Sequence, residues 1–118
     1  IDIVKKPHLF DLMVKSGCEG ILAGFESINS ANLLSVEKRT NKVAEYKYAV
    51  KQFHQANIPI LGCFVAGFDH DTKESLLNTV DFIDEIGIDL PRFSILTPFP
   101  GTALFANYEK ENRILTKN

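Results

Sequence analysis

Four short stretches carry side chains whose types and spacing could do chemistry. Gly24-Phe25-Glu26-Ser27 sets a carboxylate and a hydroxyl directly after a small residue. A carboxylate there could accept hydrogen bonds from an ammonium or a ribose hydroxyl, with Gly24 leaving room for the ligand, or it could serve as a helix-capping or surface acid. Gly67-Phe68-Asp69-His70-Asp71-Thr72 joins two acids and a histidine to a glycine that permits close backbone approach. Within it, Asp71 and Glu74 have the spacing of a capping box for a following helix. Asp69 and His70 have the makings of an acid–base pair, although neighbours in sequence often point apart. Leu96-Thr97-Pro98-Phe99-Pro100-Gly101-Thr102 is a turn fixed by two prolines, with Thr102 placed to cap a helix. Lys38 and Arg39, in Ser35-Val36-Glu37-Lys38-Arg39-Thr40, could meet an anion over a sheet edge or form a solvated charge cluster.

Other chemistries are excluded by what is missing. No GxGxxG or GxxxxGK[ST] fingerprint occurs, which argues against a nucleotide triphosphate site. Cys18 and Cys63 are too far apart in sequence for a CxxC-type metal or cluster loop, and His8, His54 and His70 are scattered. Two lone cysteines among apolar residues read as structural thiols of a reducing compartment, which points to the cytoplasm. With 13 basic and 15 acidic residues in 118, and no run of Lys or Arg, nucleic acid is not an electrostatic partner. The apolar share of 45% is enough to drive folding of one domain, and no apolar run approaches a membrane span. The chain opens Ile1-Asp2-Ile3-Val4 with neither Met nor a leader, and reads as cut from something longer.

The elements that must position these stretches follow from hydrophobic period. Apolar runs at Gly20 to Phe25, Ile58 to Gly67 and Arg92 to Thr97 predict three strands, with Ile1 to Val4 as a possible fourth. Helical spacing predicts helices over Leu9 to Lys15, Ser30 to Val36, Asn41 to Ala56, Glu74 to Ile86 and Thr102 to Asn112. Strands that are apolar on both faces and alternate with helices predict an α/β fold with a parallel sheet. Three helix-to-strand junctions, at Gly17 to Ile21, Ala56 to Ile60 and Ile86 to Leu90, resemble one another. Three of the chemical stretches fall at strand carboxyl ends, where such folds gather their function, and Lys38 and Arg39 follow the first of those ends by about a dozen residues.

Taken in order, these strand ends resemble the C-terminal half of the radical S-adenosylmethionine core, closest to the subgroup with a preceding cobalamin-binding domain. The family's ESG-type strand end with a following Lys matches Gly24-Phe25-Glu26-Ser27 with Lys38. Its G-F/L-x-x-[DE]-T turn matches Gly67 to Thr72, and its P-x-P-G-T turn matches Pro98 to Thr102. Glu111-Asn112-Arg113-Ile114-Leu115 resembles a family ending.

The resemblance implies a partial (β/α) TIM-like barrel across whose strand ends S-adenosylmethionine lies. Residues 1–118 would form one domain, the later part of the core. Glu26 and Ser27 would reach the methionine or ribose, Gly67 and Phe68 would line the adenine, and Pro98 would shape the rim. Where many members carry Pro-Gly-Glu, this chain has Asp69-His70-Asp71, so the family's acid passes to Asp71. The CxxxCxxC loop that holds the [4Fe–4S] cluster is not in this sequence and would lie upstream. The fragment alone would then be inactive, and the parent a transferase or other radical-initiated enzyme, with cobalamin a candidate cofactor and a small molecule as substrate. Two alternatives are a βα-barrel lyase or aldolase piece, which would need a lysine or metal cluster at a strand end, and a non-catalytic βα binding module. A truncated barrel would also expose a sheet edge, here expected at Ile1, Ile3 and Val4 beside the first strand, and self-associate through it.

Overall fold

A computed structural model describes residues 2–35 and 42–116. Among them, α1 (Pro7–Lys15), α2 (Ser30–Ser35), α3 (Val43–Gln55), α4 (Lys73–Ile86) and α5 (Ala103–Lys110) alternate with β1 (Ile21–Glu26), β2 (Ile60–Ala66) and β3 (Leu90–Ile95). The strands form one sheet in the order β1-β2-β3, and both pairings are parallel. This is the α/β class with parallel strands that the alternation predicts, a partial β/α arrangement.

Four of the helices end by the same device. Gly17, Asn57, Gly87 and Asn112 all adopt positive φ. The next residue's N–H then reaches back five positions, from Cys18 to Met13, Ile58 to Phe53, Ile88 to Ile83 and Arg113 to Tyr108. This left-handed cap satisfies carbonyls that the helix leaves orphaned. In the first three cases the following residue packs on the core and the chain enters a strand within three residues. The resemblance among the junctions is therefore a shared stop signal.

The core lies on one side of the sheet. Ala23, Phe25, Ile60 and Phe64 meet Tyr46, Ala49, Val50 and Phe53 from α3, and Ile83 and Ile86 from α4. Phe25 and Phe64 stack with centroids 5.3 Å apart, and Phe64 and Phe93 do so at 5.6 Å, so an aromatic row crosses all three strands. The other face is open, with Leu22 66% exposed and Leu90 also exposed. A strand in a parallel sheet ordinarily has both faces covered. Here β3 is exposed along its whole length, with Ile95 at 72%.

Three expectations need correction. Asp2–Lys5 is a 3-10 turn, so no fourth strand forms there; Pro7 starts a helix at once and leaves too few residues for pairing. Val4 is buried and Ile3 packs against the core, so the exposed apolar edge is at β3, whereas Ile1 lies outside the described residues. The capping box of α4 is Thr72 with Ser75: each side chain bonds the other's backbone N–H, at 3.0 and 2.8 Å. Asp71 and Glu74 have the same spacing one residue earlier, and the cap at Thr72 leaves the Asp71 carboxylate for another use.

Candidate functional site

Because the strands are parallel, the residues after β1, β2 and β3 share one edge of the sheet. Glu26, Gly67 and Pro98 all follow at that carboxyl edge. Lys38 lies outside the described residues.

Glu26 closes β1 with a left-handed backbone, φ 66°, and the register slips between Gly24 and Glu26. The slip re-aims its side chain, as bulges do. The carboxylate folds back over Gly24, where a Cβ would come within 2.6 Å of Oε1. Gly24 therefore makes the space that this carboxylate fills. Gly24 pairs with Cys63, and Cys63 with Arg92. Strand alternation puts all three on the open face with the Glu26 carboxylate, so a carboxylate and a guanidinium share that face.

Ser27 turns the other way. It is 6% exposed, and its Oγ accepts from the Asn29 N–H at 3.0 Å and from Asn32 Nδ2 at 3.2 Å. Asn32, on α2 and fully buried, also donates Nδ2 to Asp71 Oδ1 at 2.7 Å. The other oxygen of Asp71 accepts the backbone N–H groups of Gly67 at 2.7 Å and Phe68 at 3.0 Å. One chain of hydrogen bonds thus runs from the end of β1 through α2 into the turn after β2. The Tyr46 hydroxyl anchors its start by donating to the Phe25 carbonyl at 2.7 Å. Gly67 has φ 103° and stands 3.7 Å, measured from its would-be Cβ, from Leu96, whose N–H extends the pairing to the Ala66 carbonyl. Phe68 is buried beneath the turn, and Pro98 is half-buried beyond β3.

Asp69 and His70 do not form a dyad. The two terminal guanidinium nitrogens of Arg113, Nη1 at 2.8 Å and Nη2, donate to the Asp69 carboxylate and hold its carboxyl below the ordinary value. The network members Asn32 and Tyr46 and the open-face Arg92 were not singled out in the sequence. Tyr46 reads as one more apolar position of the α3 stripe. Asn32 carries a weak signal as a polar residue inside a short helix, and Arg92 a clearer one as the lone cation opening a strand run.

The thiols do not suit an iron–sulfur cluster. Cys18 lies before β1 and bonds the Gly20 carbonyl at 3.4 Å, while Cys63 sits within β2. Among the described residues no group of three or more His, Cys, Asp or Glu converges as a metal site, and no helix is long and apolar enough to cross a membrane. A depression of about 400 Å³ between α1 and α3 lies on the helix side, away from these groups.

No family model matches the chain. It is 42% identical over 105 residues, 89% of its length, to the bacteriochlorophyllide d C-12(1)-methyltransferase of Chlorobaculum tepidum, covering 23% of that protein. The C-8(2)-methyltransferase of the same organism is 30% identical over 97% of the chain, which covers 26% of it. The anaerobic magnesium-protoporphyrin IX monomethyl ester cyclase of Cereibacter sphaeroides is 33% identical over 88% of the chain, which covers 17% of it. The chain spans about a quarter of the two methyltransferases.

Proposed function

The chain belongs to the radical S-adenosylmethionine family, and on that premise we propose that it supplies part of the S-adenosylmethionine contact surface of a longer enzyme whose reaction is a radical-initiated methyl transfer. The observation that carries this is the Glu26 carboxylate, held over Gly24 on the open face at the shared carboxyl edge. A carboxylate so placed accepts hydrogen bonds from the methionine ammonium or the ribose hydroxyls. Ser27, through its network, fixes the backbone beside Glu26. Gly67 and Phe68 line the adenine, Asp71 holds their turn in shape, Pro98 borders the rim and Lys38 meets an anionic group. Bound S-adenosylmethionine supplies the methyl group or the radical. Two relatives named as methyltransferases favour methyl transfer over the lyase or aldolase alternative.

Residues 1–118 are, in this reading, the later part of the core domain. The [4Fe–4S] cluster belongs to another part of the parent, because Cys18 and Cys63 cannot assemble three thiolates. Cobalamin is the second cofactor proposed for the parent, with a tetrapyrrole-like small molecule as substrate and the cytoplasm as its location. The bare β3 edge makes self-association of the isolated fragment the expected behaviour.

The test is S-adenosylmethionine binding by the full-length parent, measured anaerobically by equilibrium dialysis. Glu26→Gln is expected to weaken binding about tenfold, the scale of one charge-assisted hydrogen bond. Unaltered affinity would leave Glu26 a purely structural residue and sink the reading.

A further inference from the structure

The turn after β2 is held from two sides. Asp71 gathers the Gly67 and Phe68 N–H groups inward, toward Asn32. Asp69, two residues earlier, projects outward and takes the Arg113 guanidinium. Arg113 is 44 residues distant in sequence, and it arrives there through the fourth of the left-handed helix stops. At the first three stops the residue after the left-handed position is Cys18, Ile58 or Ile88, and each packs on the core. At the fourth that position is an arginine. Its contact with the helix is made by the guanidinium lying 3.9 Å above the Tyr108 ring, in place of the apolar contact usual for this motif. Its N–H is bound to the Tyr108 carbonyl at 2.8 Å, and Glu111 meets Nη1 at 3.3 Å.

We propose that Asp69 and Arg113 form a strap that sets the turn between β2 and α4, making both of them positioning residues for the adenosyl group. The inference rests on reading Gly67 and Phe68 as contacts of S-adenosylmethionine, in a turn that Asp71 holds in shape. An exposed ion pair is ordinarily weak because two flexible side chains must be ordered to make it. Here Arg113 is already ordered by the helix stop and the ring, and the pair is bidentate, so the ordering cost falls mostly on Asp69. Elsewhere the turn and α5 leave a cavity of about 190 Å³ between them, lined by Phe68, Leu96, Leu104 and Tyr108 among others. Apolar contact there is incomplete, and the strap supplies the polar tie across it. Losing it frees the turn to shift without unfolding the sheet, because Asp71 and the capping box of α4 remain.

The experiment is a double-mutant cycle in the full-length parent with Asp69→Asn, Arg113→Gln and the pair combined. Each single change is expected to weaken S-adenosylmethionine binding about three- to fivefold, the upper range for an exposed pair. The double variant should be no worse than either single, and kcat at saturating S-adenosylmethionine and the unfolding midpoint should stay unchanged. The wild-type advantage should shrink in high salt, as screening requires. Wild-type affinity in the single variants, or losses that add in the double, would overturn the strap. A wild-type parent that binds no S-adenosylmethionine would instead strike the reading of the site, and the inference would fall with it.

Discussion

Both ends of the sheet use an aspartate to gather groups from separate elements, but they use it differently. At the amino end, Asp89 Oδ2 accepts the Ile60 N–H at 2.8 Å and meets His54 Nε2 at 2.9 Å. It joins the end of α3 to the starts of β2 and β3. At the carboxyl end, Asp71 gathers three donors, one from α2 and two from the turn after β2, beside an open face that carries Glu26 and Arg92. The backbone differs too. Positive φ at the amino end falls on helix stops, where Gly or Asn adopts it readily, whereas at the carboxyl end it falls on Gly67 and also on a glutamate, which adopts it far less readily. A left-handed backbone on a charged residue at a strand tip sets the carboxyl end apart, and that is the end where such folds gather their function.

The largest expected effect comes from removing the carboxyl-end gatherer. Asp71→Ala leaves Asn32 Nδ2 and two backbone N–H groups without this acceptor, which should cost about 2–3 kcal/mol of stability. Urea unfolding measures it. A loss no larger than that of an ordinary surface change would mean that the turn is held without the network, and the contrast between the ends would weaken.

A smaller effect, with a pH signature, is expected at the amino end. Burial raises the Asp89 carboxyl, but the Ile60 N–H and His54 outweigh it and hold it below the ordinary 3.8. A lowered folded-state value means the stabilisation is complete above 3.8 and is lost as pH falls through the folded value. Asp89→Asn should therefore cost about 1 kcal/mol or less at pH 7, discounted because the side chain is 42% exposed. The difference from wild type should vanish below that range. A difference that persists in acid would assign the effect to packing.

The two ends were not equally legible in sequence. The amino-end junctions repeat because each needs a left-handed residue followed by an apolar one, a local requirement that leaves a local trace at Gly17, Asn57 and Gly87. The strands were legible for a similar reason, since apolar runs are contiguous. The carboxyl-end network was not. Asn32 and Asp71 are 39 residues apart, and Asp69 and Arg113 are 44 apart, so no spacing rule links them. Ile1 to Val4 misleads because four residues cannot show whether their apolar character serves a strand or a turn tucked on the core. The capping box misleads because Asp71–Glu74 and Thr72–Ser75 satisfy the same spacing, and only the backbone, extended at Thr72, decides between them.

The smallest stability effect should accompany a clear functional one, at Gly24. Its φ is not in the left-handed region, so alanine fits the backbone, and the atom its Cβ would meet at 2.6 Å is the far end of the Glu26 side chain. A flexible carboxylate can swing aside, so Gly24→Ala should change stability by no more than about 0.5 kcal/mol. The swing nonetheless moves the charge off the spot that the register slip and the positive φ of Glu26 both serve. S-adenosylmethionine binding by the parent should therefore fall by about as much as in Glu26→Gln, and the double variant should lose little more, because both changes remove one interaction. Gly62 supplies the opposite case. It faces the helix side, where a Cβ would meet Ile88 at 2.9 Å and Phe25 and Phe64 at 3.3 Å. Gly62→Ala should cost about 1–3 kcal/mol by overpacking while leaving affinity per folded molecule intact. If the two glycines behaved alike, losing stability together or affinity together, the open face would be no more functional than the packed one.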